Sequence, residues 1–459
     1  MIGVFLQCLL RSLWANSMYA FDHHLDAKAV TKEKFVWMLY MGIFFFLLYG
    51  SSNQYAGLTS PHPSFWMVWE QQIPFIEAFI VPYMSSDIMF VIAFFMSYTR
   101  LELRVLAARI LFIILLSCMV FVLFPLQFSF EKPEIQSFTF LFGILEADLP
   151  FNQLPSLHVA FAIVLWSSMK KYIKNRWIKI FTALWFWLIA LSTVLVYQHH
   201  FIDIPTGAMV GLLALYIIKK EKQSVFTHGF TTPRSLKMAL YYIVGAVLSM
   251  LMAFYLSSWG SWFFLWIFTS LLLVSIIYAF GLNILLAGKN AKASWWQWVL
   301  FAPYFLGNYL SWQYYKRKLS LMVKLKDNVY FGRYPSQEEY QVLVEKCIGM
   351  AINLATEQQI QKTVFSQIRL PFLDQTIQSS EALHVGVQHI EAYQDEGVYV
   401  HCALGLSRSV LLVSAWLIFK GYSLEETEDE IAKVRPNYVK SDYMHITLEL
   451  YQKYLKKTL

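Results

Sequence analysis

Leu154-Pro155-Ser156-Leu157-His158 opens, and His199-His200-Phe201-Ile202-Asp203 closes, the stretch whose reading decides the fold. Between these ends lie two apolar runs separated by a basic turn, Lys170 to Lys179. Each run reads as long enough to cross a bilayer. Two helices that go in and come back return to the same side of the membrane. A Ser/His pair and a His/Asp pair, far apart in sequence, are therefore expected to meet at one membrane face.

Outward from this stretch the composition agrees. Of 459 residues 57% are hydrophobic and only 15% are charged, with 38 Phe, 27 Tyr and 16 Trp, whereas soluble domains average about 25% charged residues. The deficit of charge ends near residue 315, so a membrane region is followed by a soluble domain. The net charge of +7 sits mostly in short loops beside apolar runs, as in proteins whose Lys and Arg set membrane orientation. No basic patch interleaved with aromatics suggests a nucleic-acid partner. Cys8, Cys118, Cys347 and Cys402 fit neither a disulfide framework nor a zinc site, and no metal or cofactor is implied. Cys8, Cys118 and Cys347 read as core residues. Met1 to Trp14 is apolar but interrupted by Arg11, without the small-residue site of a cleaved signal.

The spans are expected at Phe35–Tyr49, Pro82–Tyr98, Val105–Phe124, Ser156–Met169, Trp177–Tyr197, Phe201–Ile218, Lys237–Leu256 and Ser261–Leu286, with an interfacial helix over 1–20. The loops at 100–104, 170–179 and 219–237 are rich in Lys and Arg. Alternating crossings put all three on one side, read as cytoplasmic. Trp295–Trp312 holds Pro303, Gly307 and many aromatics, which favours an interfacial segment over a span. The division expected is an N-terminal segment and first span over 1–80, a membrane core over 81–220, an extra hairpin and interfacial segment over 237–315, and a soluble domain over 320–459.

Phosphoryl transfer needs a nucleophile, an acid for the leaving oxygen and donors for the phosphate oxygens. His199 and Asp203 are four apart, which places both on one helix face and lets the carboxylate hold the imidazole tautomer. His199 is the expected nucleophile, His158 the acid, and Ser156 a hydroxyl donor to phosphate at a helix N-terminus that favours anions. His200, adjacent to His199, points elsewhere. Pro155-Ser156-Leu157-His158 and Ser192…His199…Asp203 resemble the second and third motifs of the type-2 phosphatidic acid phosphatases. That resemblance covers residues 80 to 220 and implies a six-helix core in which the histidines have these roles. Thr193 stands where the family often has Arg. The family's first motif is reduced to Lys132-Pro133, which makes Lys132 the candidate phosphate cation. The sphingomyelin synthase and inositol phosphorylceramide synthase branch also lacks these basic residues and transfers a phospho-headgroup to another alcohol. Hydrolysis and transfer both remain open.

In the soluble part, alternating strand and helix patterns predict an α/β domain with a largely parallel sheet: strands at 328–333, 347–353, 369–373 and 398–401, helices at 379–393 and 407–420. Between the last strand and helix sits His401-Cys402-Ala403-Leu404-Gly405-Leu406-Ser407-Arg408-Ser409. The amides of such a loop, including those of Gly405 and Ser407, converge on an anion at a helix N-terminus. The same field favours a Cys402 thiolate. Arg408 can fork onto two phosphate oxygens. This resembles the dual-specificity branch of the cysteine-dependent protein tyrosine phosphatases, over 328–459. The resemblance implies a phosphocysteine on Cys402, help from Ser409 to the leaving thiolate, and Asp374 as the acid.

The whole chain thus reads as an all-α polytopic membrane domain, a six-helix phosphatase core with extra helices, followed by a soluble α/β phosphatase domain. The expected function is a membrane phosphatase with lipid phosphates as substrates, its two sites on opposite faces of the membrane. The rival is a membrane-anchored protein phosphatase whose helices sense lipid; a non-catalytic transporter or scaffold is disfavoured. Fusions of this design imply a bacterial inner membrane with the last domain cytoplasmic.

Overall fold

The computed structural model describes residues 28–146, 148–220, 233–256, 259–287, 293–358 and 364–458. The interfacial helix expected over 1–20, and Cys8, lie outside these residues. The chain forms two compact units, one within His24–His228 and the other within Gly229–Leu459. The hairpin of 233–280 therefore groups with the α/β domain, and the first span with the helical core.

The helical unit contains α1 (Thr31–Thr59), α2 (Ile80–Met96), α3 (Arg100–Leu123), α4 (Thr139–Leu145), α5 (Leu157–Met169), α6 (Arg176–Leu195) and α7 (Asp203–Ile217). Helix α3 starts at a capping box in which Thr99 and Glu102 satisfy each other's free amides. Helix α6 starts at Asn175, whose side chain accepts from the N–H groups of Trp177 and Ile178. Beyond its first ten residues, which include Arg100, Glu102, Arg104 and Arg109, helix α3 is apolar, and it forms the largely buried centre, with Leu103, Ile110, Ile113 and Ile114 inaccessible. Trp177, Phe181, Trp187, Met209 and Tyr216 are exposed, the surface expected of helices that face lipid.

Among the described residues six helices are long and apolar enough to cross a membrane: Thr31–Thr59, Glu77–Met96, Arg100–Leu123, Arg176–Leu195, Arg234–Tyr255 and Trp259–Phe280. The expected spans at 156–169 and 201–218 fall short. Helix α5 has 13 residues and α7 has 15, about 20 Å each at 1.5 Å per residue. Pro155 and the 170–175 turn cut α5 at its two ends, so the claim that each run of the opening stretch crosses alone holds only for α6. The two short helices lie against each other instead. Gly207 and Gly211 of α7 face the backbone of α5; a Cβ at Gly207 would strike the Ser156 carbonyl, and one at Gly211 would come 2.9 Å from that of Ala160. This is a Gly-xxx-Gly contact, which lets two helix backbones approach closely.

The basic loops meet at one end of this unit. Lys171 and Lys220 both pair with Glu102, at 2.5 and 2.7 Å, and Arg100 pairs with Glu33 at 2.9 Å. His158 and Asp203 begin the helices that lead to that end, so they sit at the other.

The second unit opens with the paired helices α8 (Pro233–Tyr255) and α9 (Trp259–Phe280), then α10 (Ile284–Ala287), α11 (Trp295–Leu300) and α12 (Ala302–Lys316). The ambiguous Trp295–Trp312 is thus two helices, interrupted at Phe301, with a proline in the first turn of the second. The strands are β1 (Met322–Lys326), β2 (Val329–Arg333), β3 (Met350–Ala355), β4 (Ser366–Phe372) and β5 (Val398–Cys402), in the order β1-β2-β5-β3-β4. Only β1 runs antiparallel. The helices are α13 (Tyr340–Glu345), α14 (Ser380–Tyr393), α15 (Arg408–Phe419), α16 (Leu424–Val434) and α17 (Asp442–Thr458). Strand β5 is central and buried along its length, His401 included. Cys347 departs from expectation: it is exposed, at φ 54° in the turn before β3, because that strand begins only at Met350. Cys118 is buried as expected.

Candidate active sites

At the end of the helical unit away from its basic loops, the Ser156 N–H donates to the Asp203 carbonyl at 3.1 Å, which ties the start of α5 to the start of α7. Asp203 Oδ2 lies 3.1 Å from His199 Nδ1 and accepts the His200 amide at 3.0 Å. With the Nδ1 proton turned to Asp203, the Nε2 lone pair of His199 is left for an electrophile. The rings of His158 and His199 lie 6.3 Å apart, and His158 packs on Tyr83 at 4.2 Å. The Ser156 hydroxyl is fully buried and has no hydrogen-bond partner among the described residues. An orphaned buried hydroxyl is costly unless a ligand completes it.

Other sequence-matched positions serve structure. Ser192 and Thr193 return their hydroxyls to helix carbonyls, of Ile189 and Ala190. His200 is buried 3.4 Å from Glu70, near the Ser129 hydroxyl, and stacks on Phe128 at 4.4 Å. Glu70 also accepts the Phe201 amide at 2.8 Å, so it fixes the turn that carries His199. Lys132 is exposed, and among the described residues no hydrogen bond joins it to the histidines or Ser156. It lies within electrostatic reach of Asp148, as does His199. Asp148 accepts from Tyr49 and Asn53 at 2.7 and 2.6 Å; burial raises its carboxyl above the ordinary range against these partners. Neither Glu70 nor Asp148 was marked by any motif; only the tertiary fold brings them here.

In the α/β unit the loop from β5 to α15 curls around sulfur. The Gly405 N–H donates to Cys402 Sγ at 3.3 Å, and Ser409 Oγ lies 3.6 Å away. Gly405 has φ 70°, and a Cβ there would run into the Gly332 backbone, so only glycine fits. Arg408 is forked onto Glu357 at 2.9 and 2.6 Å and also donates to the Phe372 carbonyl at 3.2 Å. Burial alone would lower the guanidinium, but Glu357 and Asp374 hold it well above its ordinary value. Burial would raise Glu357, and Arg408 reverses this to keep it below the usual range. The Nε of Arg408 is buried without a hydrogen bond, 3.3 Å from Asp374. Asp374 also accepts from the Ser407 hydroxyl at 2.8 Å. The motif named Cys402, Gly405, Ser407, Arg408 and Ser409, the family resemblance named Asp374, and Glu357 was missed. Glu357 follows the buried strand β3, at the carboxyl end of a parallel sheet where such groups gather.

Two family models match the chain: "PAP2 superfamily" over residues 106–224 and "Dual specificity phosphatase, catalytic domain" over 329–453. The chain carries a PAP2 superfamily domain followed by a dual-specificity phosphatase domain. It is similar to phosphatidylglycerophosphatase and protein-tyrosine phosphatase 1 of Mus musculus, 42% identical over 84 residues, which are 17% of this chain and 44% of the relative. The Homo sapiens protein of that name is 43% identical over 84 residues, 17% of this chain and 39% of its own length. The chain thus spans less than half the length of these curated relatives. Among solved structures, the crystal structure of PTPMT1 is 27% identical and covers 30% of this chain and 96% of that one, with a TM-score of 0.28. These relatives are mammalian or carry no stated source, so they lend nothing to the expected bacterial inner membrane.

Proposed function

We propose that this chain is a multi-pass membrane phosphatase for lipid phosphates, with one covalent site in each unit. The observation that carries the proposal is the Cys402 loop: an amide on the sulfur and an arginine anchored by a buried carboxylate. The Cys402 thiolate attacks phosphorus, Asp374 protonates the departing oxygen, and Arg408 Nε with the loop amides holds the phosphate oxygens. Water then attacks the phosphocysteine, and the Ser409 hydroxyl donates to the leaving thiolate. At the other site His199 Nε2 forms a phosphohistidine while His158 protonates the leaving alkoxide and Ser156 Oγ donates to a phosphate oxygen. Water or a second alcohol releases the phosphoryl group. Lipid as the substrate class follows from the helices long enough to cross a membrane and from the name of the curated relatives.

The test is phosphate release from a panel of lipid phosphates by wild type, His199→Ala and Cys402→Ser. Each substitution is expected to remove a different part of the lipid activity; no change in either would end the proposal. The relatives' name also includes protein-tyrosine phosphatase. That second reading expects phosphotyrosine peptides to be cleaved in a manner lost in Cys402→Ser and kept in His199→Ala. We place the α/β domain in the cytoplasm because the basic loops mark that side. Exposed Cys347 supplies the check: in a Cys8→Ser chain, an impermeant maleimide added to intact cells should not label it.

A further inference from the structure

A cavity of about 830 Å³ lies in the second unit between α12 and the segments 334–338 and 357–358. One wall is apolar and aromatic, built by Phe305, Leu306, Tyr309 and Trp312. The opposite wall reaches the catalytic loop. Glu357 lines the cavity and grips Arg408. Tyr334 lines it too, donates its amide to the Ala403 carbonyl at 3.2 Å, and packs its ring 5.6 Å from His401. The cavity therefore abuts the phosphate site through two side chains, Glu357 and Tyr334, that touch both.

We propose that this cavity takes the glycerol and the first acyl carbons of a lipid phosphomonoester while its phosphate rests on the Cys402 loop; this depends on the lipid reading above. Three observations select that occupant. The rim is apolar on its outer side as well: Leu306, Tyr309 and Leu310 are each more than half exposed, which suits a chain that leaves the cavity for hydrocarbon. A polypeptide would bring a run of backbone amides that need partners, and the helix wall, Asn308 and Gln313 apart, offers rings and aliphatic carbons. Lys316, also on the wall and lying over the Trp312 ring at 4.7 Å, adds a positive charge suited to an anionic lipid. The carboxylate of Glu357 is already answered by Arg408, and Glu338 on the other rim is exposed.

The membrane helices of the same unit are fastened to the acid loop. Asn283, just beyond α9, donates to the Pro371 carbonyl at 3.1 Å, and Arg234 at the start of α8 bonds Gln375. These contacts bracket Asp374, so the place where the chain enters the membrane and the place where the leaving oxygen is protonated are neighbours. A lipid that enters along α12 needs only its headgroup to leave the bilayer surface.

The test uses the full chain in mixed micelles, with His199→Ala as the parent so that only the Cys402 site acts. Leu306→Trp and Tyr309→Trp fill the cavity from exposed positions. The ratio of kcat/KM for a long-chain lipid phosphomonoester to that for p-nitrophenyl phosphate is expected to fall about tenfold, the scale of a pocket-filling change. An unchanged ratio overturns the assignment. A parent that cleaves the aryl phosphate but no lipid sinks the lipid reading itself, and the cavity with it. As a second measurement, a phosphomonoester with a photoactivatable group near the start of its acyl chain should label residues 302–316 of a Cys402→Ser chain. Labelling confined to other segments also overturns the proposal.

Discussion

In the helical unit the proposed reactive side chains come from separate segments: Ser156 and His158 from the start of α5, His199 from the turn before α7 and Asp203 from its first residue, with Lys132 on the loop between α3 and α4. In the α/β unit the proposed nucleophile, cradle and cation come from the unbroken run 402–409. The first arrangement exists only because α5 and α7 press together through Gly207 and Gly211. The second is a local loop whose geometry follows from one glycine and one strand end. The cations differ as well. Arg408 is buried and held by Glu357, whereas Lys132 stays at the surface. A site with a fixed guanidinium holds phosphate oxygens without reorganising; the proposed imidazole site would draw on Ser156 and the amides at the start of α5.

The sharpest way to break this contrast is to remove each nucleophile. Cys402→Ser and His199→Ala should each lower turnover at their own site by on the order of 10⁴-fold or more, as deletion of a covalent nucleophile does elsewhere. Each should leave the other site unaffected when assayed on water-soluble and lipid substrates in parallel. Loss of both activities in either variant would mean one shared centre instead of two. Next in size is Asp374→Asn. General acid catalysis contributes roughly 10²–10⁴-fold, so kcat should fall on that scale for an alkyl phosphate and much less for p-nitrophenyl phosphate, whose oxygen leaves without a proton. Equal losses on both substrates would demote Asp374 to a partner of Ser407 and Arg408.

Glu357→Gln sharpens the comparison of the cations. It removes the buried carboxylate forked onto the guanidinium and leaves only the partly exposed Asp374 and the Phe372 carbonyl, and breaking a buried pair costs about 3–5 kcal/mol. The α/β unit should lose that much stability, seen as faster amide exchange in α15, while the helical unit keeps its own. Because Glu357 is held below the ordinary carboxyl range, its contribution is present above about pH 4.3 and is lost as pH falls further through its folded value. Unchanged exchange in α15 at neutral pH would show that Arg408 is solvated after all.

The two regions were also legible to different degrees in the sequence. The 401–409 loop, its flanking β5 and α15, and the parallel sheet could be read directly, because each depends on contiguous residues and short-range periodicity. In the bundle, apolar runs located the helices, and the return of two runs to one end predicted that His158 and His199 would meet. The bounds of α5 and α7 were read nearly correctly, at 156–169 and 201–218, but runs of 13 and 15 helical residues are too short to be counted as full crossings. Strand β1 was missed because Met322–Lys326 alternates Lys with apolar residues at a sheet edge, a weak pattern beside a basic run. Glu70, Asp148 and Glu357 carry no local signature; their role is created by burial beside partners far away in the chain. Cys347 was misplaced by the slide of one strand start, from 347 to 350.

The smallest effect expected lies beside the nucleophile. His401 is fully enclosed, stacked 5.3 Å from Tyr399 with Tyr334 on its edge, and burial lowers its imidazole to about 3. It is therefore neutral in the folded domain at any pH above that value, whereas the unfolded chain protonates it below about 6.5. The unfolded state then binds the extra proton, so stability falls as pH drops from 6.5 towards 3, by about 1.4 kcal/mol per pH unit for this one group. The Glu357 contribution changes only below the ordinary carboxyl range, so the window from pH 6.5 to 5 belongs to histidine. Opening free energies of α15, from amide exchange corrected for the intrinsic rate, should decline across that window in wild type and decline less in His401→Asn. Parallel slopes would show that the imidazole reaches water, and the sulfur next to it would then sit in a wetter loop than the one described.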